Sequence, residues 1–283
     1  MADSVDLNQP LEGLIYEKRN QIAYLTLNRP ERGNALAGFM KPVVKAIWEE
    51  VRDDDSIRCA IITGAGDRHF CTGADMAIVA KNARVSGTGP VSDEVFWSPH
   101  QNRVWKPVIC AVNGLVAGGG LHFVVDSDII VAADHAAFMD THTNVGMVGA
   151  IENIGLAKRL PLGTALRMTL QGRDYRLPAE RAYQLGLVDE LVAKEDLMEK
   201  AEEIAQSMLK SSPHALALSK QAVWSAVEMG YKSSIEYGWA LLRLHWQHPD
   251  FIEGPRAFAE KRDPQWTTGG DPASWRKTIQ EMD

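Results

Sequence analysis

The stretch Val108–Asp134, VICAVNGLVAGGGLHFVVDSDIIVAAD, decides the fold. It reads as a buried strand, a small-residue turn, three consecutive glycines, a short helix and a second buried strand. A glycine triplet at a helix start lets another molecule approach the backbone closely, and the first N–H groups of a helix have no partner inside it. Together they make a site for an oxyanion or a phosphate.

Upstream, Leu14–Lys18 and Gln21–Leu27 are short apolar segments joined at Arg19 and Asn20, the pattern of an antiparallel pair. Leu36, Met40, Val43, Val44, Ile47 and Val51 recur at helical spacing, with Asn34 as candidate cap and Pro42 in an early turn. Arg58–Thr63 is a buried strand, and GAGDRHFCTGADM (64–76) leads by a glycine-punctuated loop into a helix near Ala74 or Asp75. A second helix start therefore faces the first. Residues 81–101 are polar and read as a mobile surface loop bordering a binding site. Ala136–Asp140 is a short strand, and a helix starts near Glu152 or Asn153. From Thr164 the pattern is mostly helical: Ala165–Leu170, Pro178–Leu185, Lys194–Leu209, Pro213–Glu228 and Lys232–His245, then a last helix broken by Pro255, with one strand at Leu187–Val192. The strand, strand, helix rhythm recurs in the first half without a fixed sequence period.

The chain has 283 residues, 45% of them hydrophobic, and a net charge of −7; its pI is about 5.7. Scattered Lys and Arg give nucleic acid no electrostatic footprint. Cys59, Cys71 and Cys110 have no metal-ligand spacing and read as buried free thiols. The N-terminus has no signal pattern, and no apolar run nears the ~20 residues of a membrane span, so the expected location is cytoplasmic, without a membrane partner. The glycines at 114 and 118–120 do not make GxGxxG, and P-loop, HExxH and GxSxG signatures are missing. What remains is a pair of glycine-flanked helix starts at Ala74 and Gly119. Their N–H groups could hold one carbonyl oxygen as it becomes an enolate, at roughly 3–4 kcal/mol per donor. An isolated glycine triplet would be mere punctuation.

NRPERGNAL (28–36), FCTGADM (70–76), KPVICAVNGLVAGGGL (106–121), SDIIVAAD (127–134), RLPLG (159–163) and AERAYQLGLVDELV (179–192) resemble the crotonase superfamily, also called enoyl-CoA hydratase/isomerase, over about residues 14–265. The resemblance implies an α/β fold: a crotonase-like spiral of ββα units over 1–194, and a helical C-terminal region over 195–283 for oligomerisation as a homotrimer or homohexamer. It implies an acyl-CoA or enoyl-CoA substrate, no cofactor beyond that CoA, and an oxyanion hole from the N–H groups of Ala74 and Gly119. Ala74, Asp75, Met76, Ala77 and Gly119 would border the CoA ester, with Phe258 and Lys261 touching CoA across a subunit boundary. Trp239, Leu242 and Trp246 are candidate packing or subunit contacts.

Hydratases of this family carry a Glu two residues after the triplet and another about twenty residues on; here stand His122 and His142. Imidazole can also move a proton near neutral pH. Asp140, two residues before His142 in an extended segment, shares its face and could orient the ring; the alternative is a loop histidine satisfied by backbone. His122 is either a satisfied core histidine or a proton-transfer group. Glu152 is a candidate replacement acid or a helix-start residue favoured by the dipole. A metal on His122, His142 and Asp140 matches no known spacing and is set aside, so none is expected. The expected activity is that of an enoyl-CoA hydratase or isomerase with His142, aided by His122, transferring protons. Open alternatives are acyl-CoA or C–C bond hydrolysis, a non-catalytic acyl-CoA binding protein, and a structural partner without a CoA site.

Overall fold

A tight turn starts the fold. Asn20 and Gln21 take left-handed φ angles of 52° and 65°, the geometry that closes a two-residue hairpin, and β1 (Leu14–Arg19) pairs antiparallel with β2 (Ile22–Leu27). The computed structural model describes residues 5–82 and 96–267. Positions 83–95 of the expected 81–101 loop lie outside the described residues, as do the two ends of the chain.

From β2 the large sheet grows in parallel through β3 (Cys59–Gly64), β5 (Val108–Val112), β7 (Ile129–Ala133) and β10 (Glu190–Val192), in the order β1-β2-β3-β5-β7-β10. A second sheet holds β4 (His69–Cys71), β6 (Leu115–Ala117), β8 (Ala137–Met139) and β9 (Leu177–Pro178), in the order β4-β6-β8-β9. The helices α1 (Met40–Asp53), α2 (Met76–Asn82), α3 (Leu121–Asp126) and α4 (Ile151–Arg159) complete the rhythm. In the units β3-β4-α2, β5-β6-α3 and β7-β8-α4, the first strand joins the large sheet and the second the small one. The chain thus steps along both sheets at once, as an α/β spiral of ββα turns.

The parallel strands are buried on both faces, which is why they read as unbroken apolar runs. Ile22, Tyr24, Cys59, Ile61, Ile109, Ala111 and Val131 meet Leu197, Ala201 and Ala205 of α7 (Leu197–Leu209) on one face. Their alternates, Ala23, Leu25, Ala60, Ile62, Cys110, Val112 and Ile130, meet α1 and α3 residues such as Trp48 and Phe123 on the other. α7, at the start of the expected C-terminal region, closes the large sheet and shares its core. Beyond it come α8 (Pro213–Glu228), α9 (Tyr231–His245) and α10 (Asp250–Glu260); α5 (Leu162–Gln171) and α6 (Ala179–Gln184) lie between α4 and β10. The three cysteines are free and buried, and burial pushes the Cys59 and Cys71 thiols up to about 12. No described helix is long and apolar enough to cross a membrane.

Three local expectations are corrected. Asn34 is no helix cap: the helix begins at Met40, and Asn34, at φ 53°, accepts from Arg29 N at 2.9 Å and donates to Ala65 O at 3.0 Å and His69 O at 2.8 Å. Pro42 falls within the first turn of α1, where a missing N–H costs no helical bond. Pro255 does not break α10. The following chain folds back on the helix, with Thr267 N donating to Asp250 Oδ1 at 2.8 Å and Gln265 N to Glu253 Oε1 at 2.6 Å. Finally, β4, β6 and β9 are strands where the sequence suggests loop or helix start; with two or three residues each, they rest on pairing with neighbouring strands instead of on a local pattern.

One buried ion pair docks α8 onto the sheet. Lys220 Nζ lies 2.6 Å from Asp128 Oδ2 and donates to Val104 O and Lys106 O at 2.9 and 3.0 Å. Asp128 also accepts from Val108 N and Trp224 Nε1 at 2.7 and 2.9 Å. Removing one member of a buried pair strands the other charge. Lys220→Met is therefore expected to cost roughly 3 kcal/mol in urea unfolding, and Asp128→Asn added to it should recover part of that loss.

Candidate active site

Two backbone segments meet edge to edge at the centre of the spiral. Gly73 has φ +84°, and a Cβ there would stand 2.7 Å from Gly119 N; a Cβ on Gly120 would stand 2.4 Å from Cys71 O. Neither position admits a larger residue without displacing backbone. The bridge between Leu36 and Ala74 uses the C=O of Gly73 and the N–H of Asp75, at 2.7 and 2.9 Å, so the N–H of Ala74 points away from Leu36. Gly119 is the second residue of the turn Gly118–Gly120, where an N–H has no partner within the helix. Ala74 is exposed and Gly119 half-buried, whereas Gly73, Gly118 and Gly120 are buried.

Two asparagines hold these segments in register. Asn34 ties the loop after β2 to the approach of β4, as described. Asn113 Oδ1 accepts from Gly64 N at 3.1 Å while its Nδ2 donates to Gly66 O at 2.8 Å. Asp75 turns inward: it pairs with Arg29 at 2.8 Å and accepts from Ala77 N at 3.2 Å. Its carboxyl pKa is lowered, chiefly by the Arg29 hydrogen bond. Met76 and Ala77 are left exposed, so of the expected CoA-bordering group only the Asp75 side chain is committed elsewhere.

Next to the glycine turn lies an ionisable chain. His142 Nδ1 is 2.6 Å from Asp140 Oδ1, and its Nε2 is 2.9 Å from Glu152 Oε1. Glu152 Oε2 stands 3.8 Å from His122 Nε2. A Cβ placed on Gly118 would lie 3.6 Å from His142 Cε1, which sets the ring beside the turn. Asp140 and Glu152 are 0% and 4% exposed. With carboxylates at both nitrogens, first Asp140 and then Glu152, the His142 pKa rises to about 10, against a burial penalty that would lower it. At neutral pH the ring is an imidazolium donating from both ends. Burial works to raise both carboxyls, yet the His142 hydrogen bond, with Asn153 for Asp140 and the nearby His122 for Glu152, lowers them overall. Burial pushes the His122 pKa down, so that ring is neutral.

Asp140, His142, Glu152 and His122 are thus brought together, and two readings of them change. His142 is a paired cation, so it presents a proton instead of an empty lone pair. His122 is not a satisfied core histidine: its buried Nδ1 has no hydrogen-bond partner among the described residues. Glu152, in the first turn of α4, points between the two histidines. Two members went unnoticed in the sequence: Asn153 Nδ2 donates to Asp140 Oδ2 at 2.8 Å and to Thr169 Oγ1 at 3.0 Å. The available signal was a polar pair, Glu152-Asn153, on the face that also buries Leu156. Phe258, 88% exposed, and Lys261 lie at the end of α10, whose Asp250 is bonded to Ser212 beside the start of β3. No hydrogen bond or ion pair links them to the glycine turn among the described residues.

The family model for enoyl-CoA hydratase/isomerase matches residues 17–269. The chain belongs to the enoyl-CoA hydratase/isomerase family. It is 33% identical to the (E)-benzylidenesuccinyl-CoA hydratase of Thauera aromatica over 88% of this chain and 96% of that one. It is 34% identical to the 1,2-epoxyphenylacetyl-CoA isomerase of Escherichia coli K12, over 91% and 99%. Among solved structures, an enoyl-CoA hydratase/isomerase from Mycobacterium paratuberculosis superposes with a TM-score of 0.85 at 32% identity, covering 91% of this chain and 99% of that one. The enoyl-CoA hydratase/isomerase spiral and its enzymatic character are thereby established for this protein.

Two outcomes follow from this geometry. Gly120→Ala should destabilise the protein by roughly 1–3 kcal/mol through overpacking, whereas Gly119→Ala, whose Cβ would meet only atoms at 3.5 Å or beyond, should leave the urea midpoint nearly unchanged. A histidine whose pKa is raised by folding stabilises fully below its unfolded value of 6.5 and loses that contribution as pH climbs through about 10. Wild-type thermal stability should fall across that window more than that of His142→Gln, measured by calorimetry at matched ionic strength.

Proposed function

We propose that this enzyme binds an acyl-CoA or enoyl-CoA thioester, polarises its carbonyl with the N–H groups of Ala74 and Gly119, and moves a proton at the α-carbon. The His142 ring beside the glycine turn, linked to Glu152, carries this reading. Hydration, dehydration and double-bond shifts next to a thioester share an enolate-like stage, and relatives are named as a hydratase and a dehydratase of CoA esters. Two backbone donors directed at one oxygen suit that stage because the surrounding backbone already orients them, so little reorganisation accompanies the charge.

Proton transfer needs a donor and an acceptor of matched strength within reach. The His142 imidazolium is the donor, and Glu152, held ionised between the two rings, is the acceptor. Asp140 keeps His142 charged and oriented, with Asn153 locking Asp140 in turn. His122, neutral and with a free Nδ1, is the second acceptor and the group best suited to hold a water. Exposed Trp239, Leu242 and Trp246 supply the apolar contact for assembly with further copies of the chain.

The test is deuterium incorporation at Cα from D2O, read by mass spectrometry over a panel of saturated and unsaturated acyl-CoAs, with product analysis for added water or a moved double bond. Exchange or turnover is expected in the wild type. Glu152→Gln and His142→Gln should each lower kcat by about 10²–10⁴, with KM changed far less. The alkaline limb of kcat/KM should fall near pH 10, where His142 loses its proton. Tight binding without exchange would mark a carrier of CoA esters, release of free CoA a hydrolase, and absence of both binding and exchange would overturn the reading.

A further inference from the structure

The C-terminal helices gather three histidines that the family reaction does not use. His214 is in the first turn of α8, His245 ends α9, and His248 lies in the turn to α10. The His214 and His248 rings stack with centroids 4.1 Å apart, and His214 and His245 with centroids 5.2 Å apart. The Nδ1 atoms of His214 and His245 are 2.9 Å from each other. Each ring offers a nitrogen within 4.8 Å of the others. Asp250 stands beside the cluster, its Oδ2 3.7 Å from His248 Nδ1 and its N–H donating to that nitrogen at 3.2 Å, while its carboxylate accepts from Ser212 Oγ and Thr267 N.

We propose that His214, His245 and His248 bind a divalent transition-metal ion of the zinc class. Imidazole nitrogens suit zinc and its neighbours and disfavour magnesium or calcium, which take oxygen. Tetrahedral zinc at its usual bond length holds its ligand nitrogens about 3.4 Å apart. The separations here run from 2.9 Å upward and stay within 4.8 Å, a range that brackets the tetrahedral spacing. His214 and His245 are half-buried while His248 and Asp250 are buried, giving one open approach and a closed floor.

The ion would act as a clip. His214 and His245 are 31 residues apart, and joining them with His248 fastens the start of α8 to the turn between α9 and α10. Only the sequence as a folded object reveals this: the pair His245 and His248 needs a partner a full helix hairpin away.

The experiment is equilibrium dialysis of the metal-free full chain against zinc chloride with elemental analysis, followed by cobalt(II) absorption and thermal melts. One zinc per chain at micromolar free metal, visible tetrahedral cobalt bands and a zinc-dependent rise in melting temperature are expected. His214→Gln and His245→Gln should each weaken binding at least about 10-fold and abolish the thermal shift; both side chains are half-buried, and far-UV circular dichroism of each reports its fold, so either alone decides the matter. No stoichiometric zinc in the wild type, or zinc that persists in both variants because it sits at His122 and His142, would overturn the proposal.

Discussion

The whole arrangement depends on two backbones touching. Gly73 lies against Gly119, and Gly120 against Cys71, at separations that leave no room for a Cβ. Such contact is possible only because β3 and β5 are neighbours in the large sheet while β4 and β6 are neighbours in the small one. Each loop is therefore fixed at both ends by parallel pairing. Asn34 and Asn113 then tie the loops across to each other, and both bond His69 O, at 2.8 and 3.3 Å. Neither the bridge at Leu36 nor the helical bonding of the glycine turn uses the N–H groups of Ala74 and Gly119. This packing explains why glycine and asparagine, not reactive side chains, form the most specific stretches of the sequence.

Docking of the C-terminal helices follows a different rule. α7 is held by apolar packing along the sheet, but α8 is held by Lys220 on Asp128 and by the carbonyls at the edge of β5. A largely buried pair with four further hydrogen bonds fixes orientation more than it adds stability. It also places Trp224 against Arg159, whose guanidinium lies 5.4 Å from the indole ring, linking α8 to the end of α4 and so to the helix that carries Glu152.

Much of this was legible in the chain because it rests on period and glycine placement. The alternating faces of β2, β3, β5 and β7, the hairpin at Asn20, and the helices from residue 194 onward are all set by local pattern. What the pattern hides is pairing between short segments. β4, β6 and β9 have two or three residues each and exist only because partner strands lie beside them. Asn34 looks like a helix cap since its side chain suits that role equally well; only the fold puts Ala65 and His69 within its reach. Pro255 looks like a break since nothing local announces that residues 262–267 return to brace the helix.

Imidazole at positions 122 and 142 sets where charge sits in the buried cluster. With His142 charged, His122 neutral and both Asp140 and Glu152 ionised, the buried group carries a net charge of about −1, and an enolate would add another. Two features offset that burden. Glu152 sits in the first turn of α4, where the helix dipole favours negative charge, and in the proposed mechanism the enolate charge falls on the Ala74 and Gly119 donors, not on the ionisable chain. Beside Gly118 the His142 imidazolium supplies a positive charge to this group. In the proposed mechanism it is the proton donor, and Asp140, held in turn by Asn153, keeps it charged and oriented.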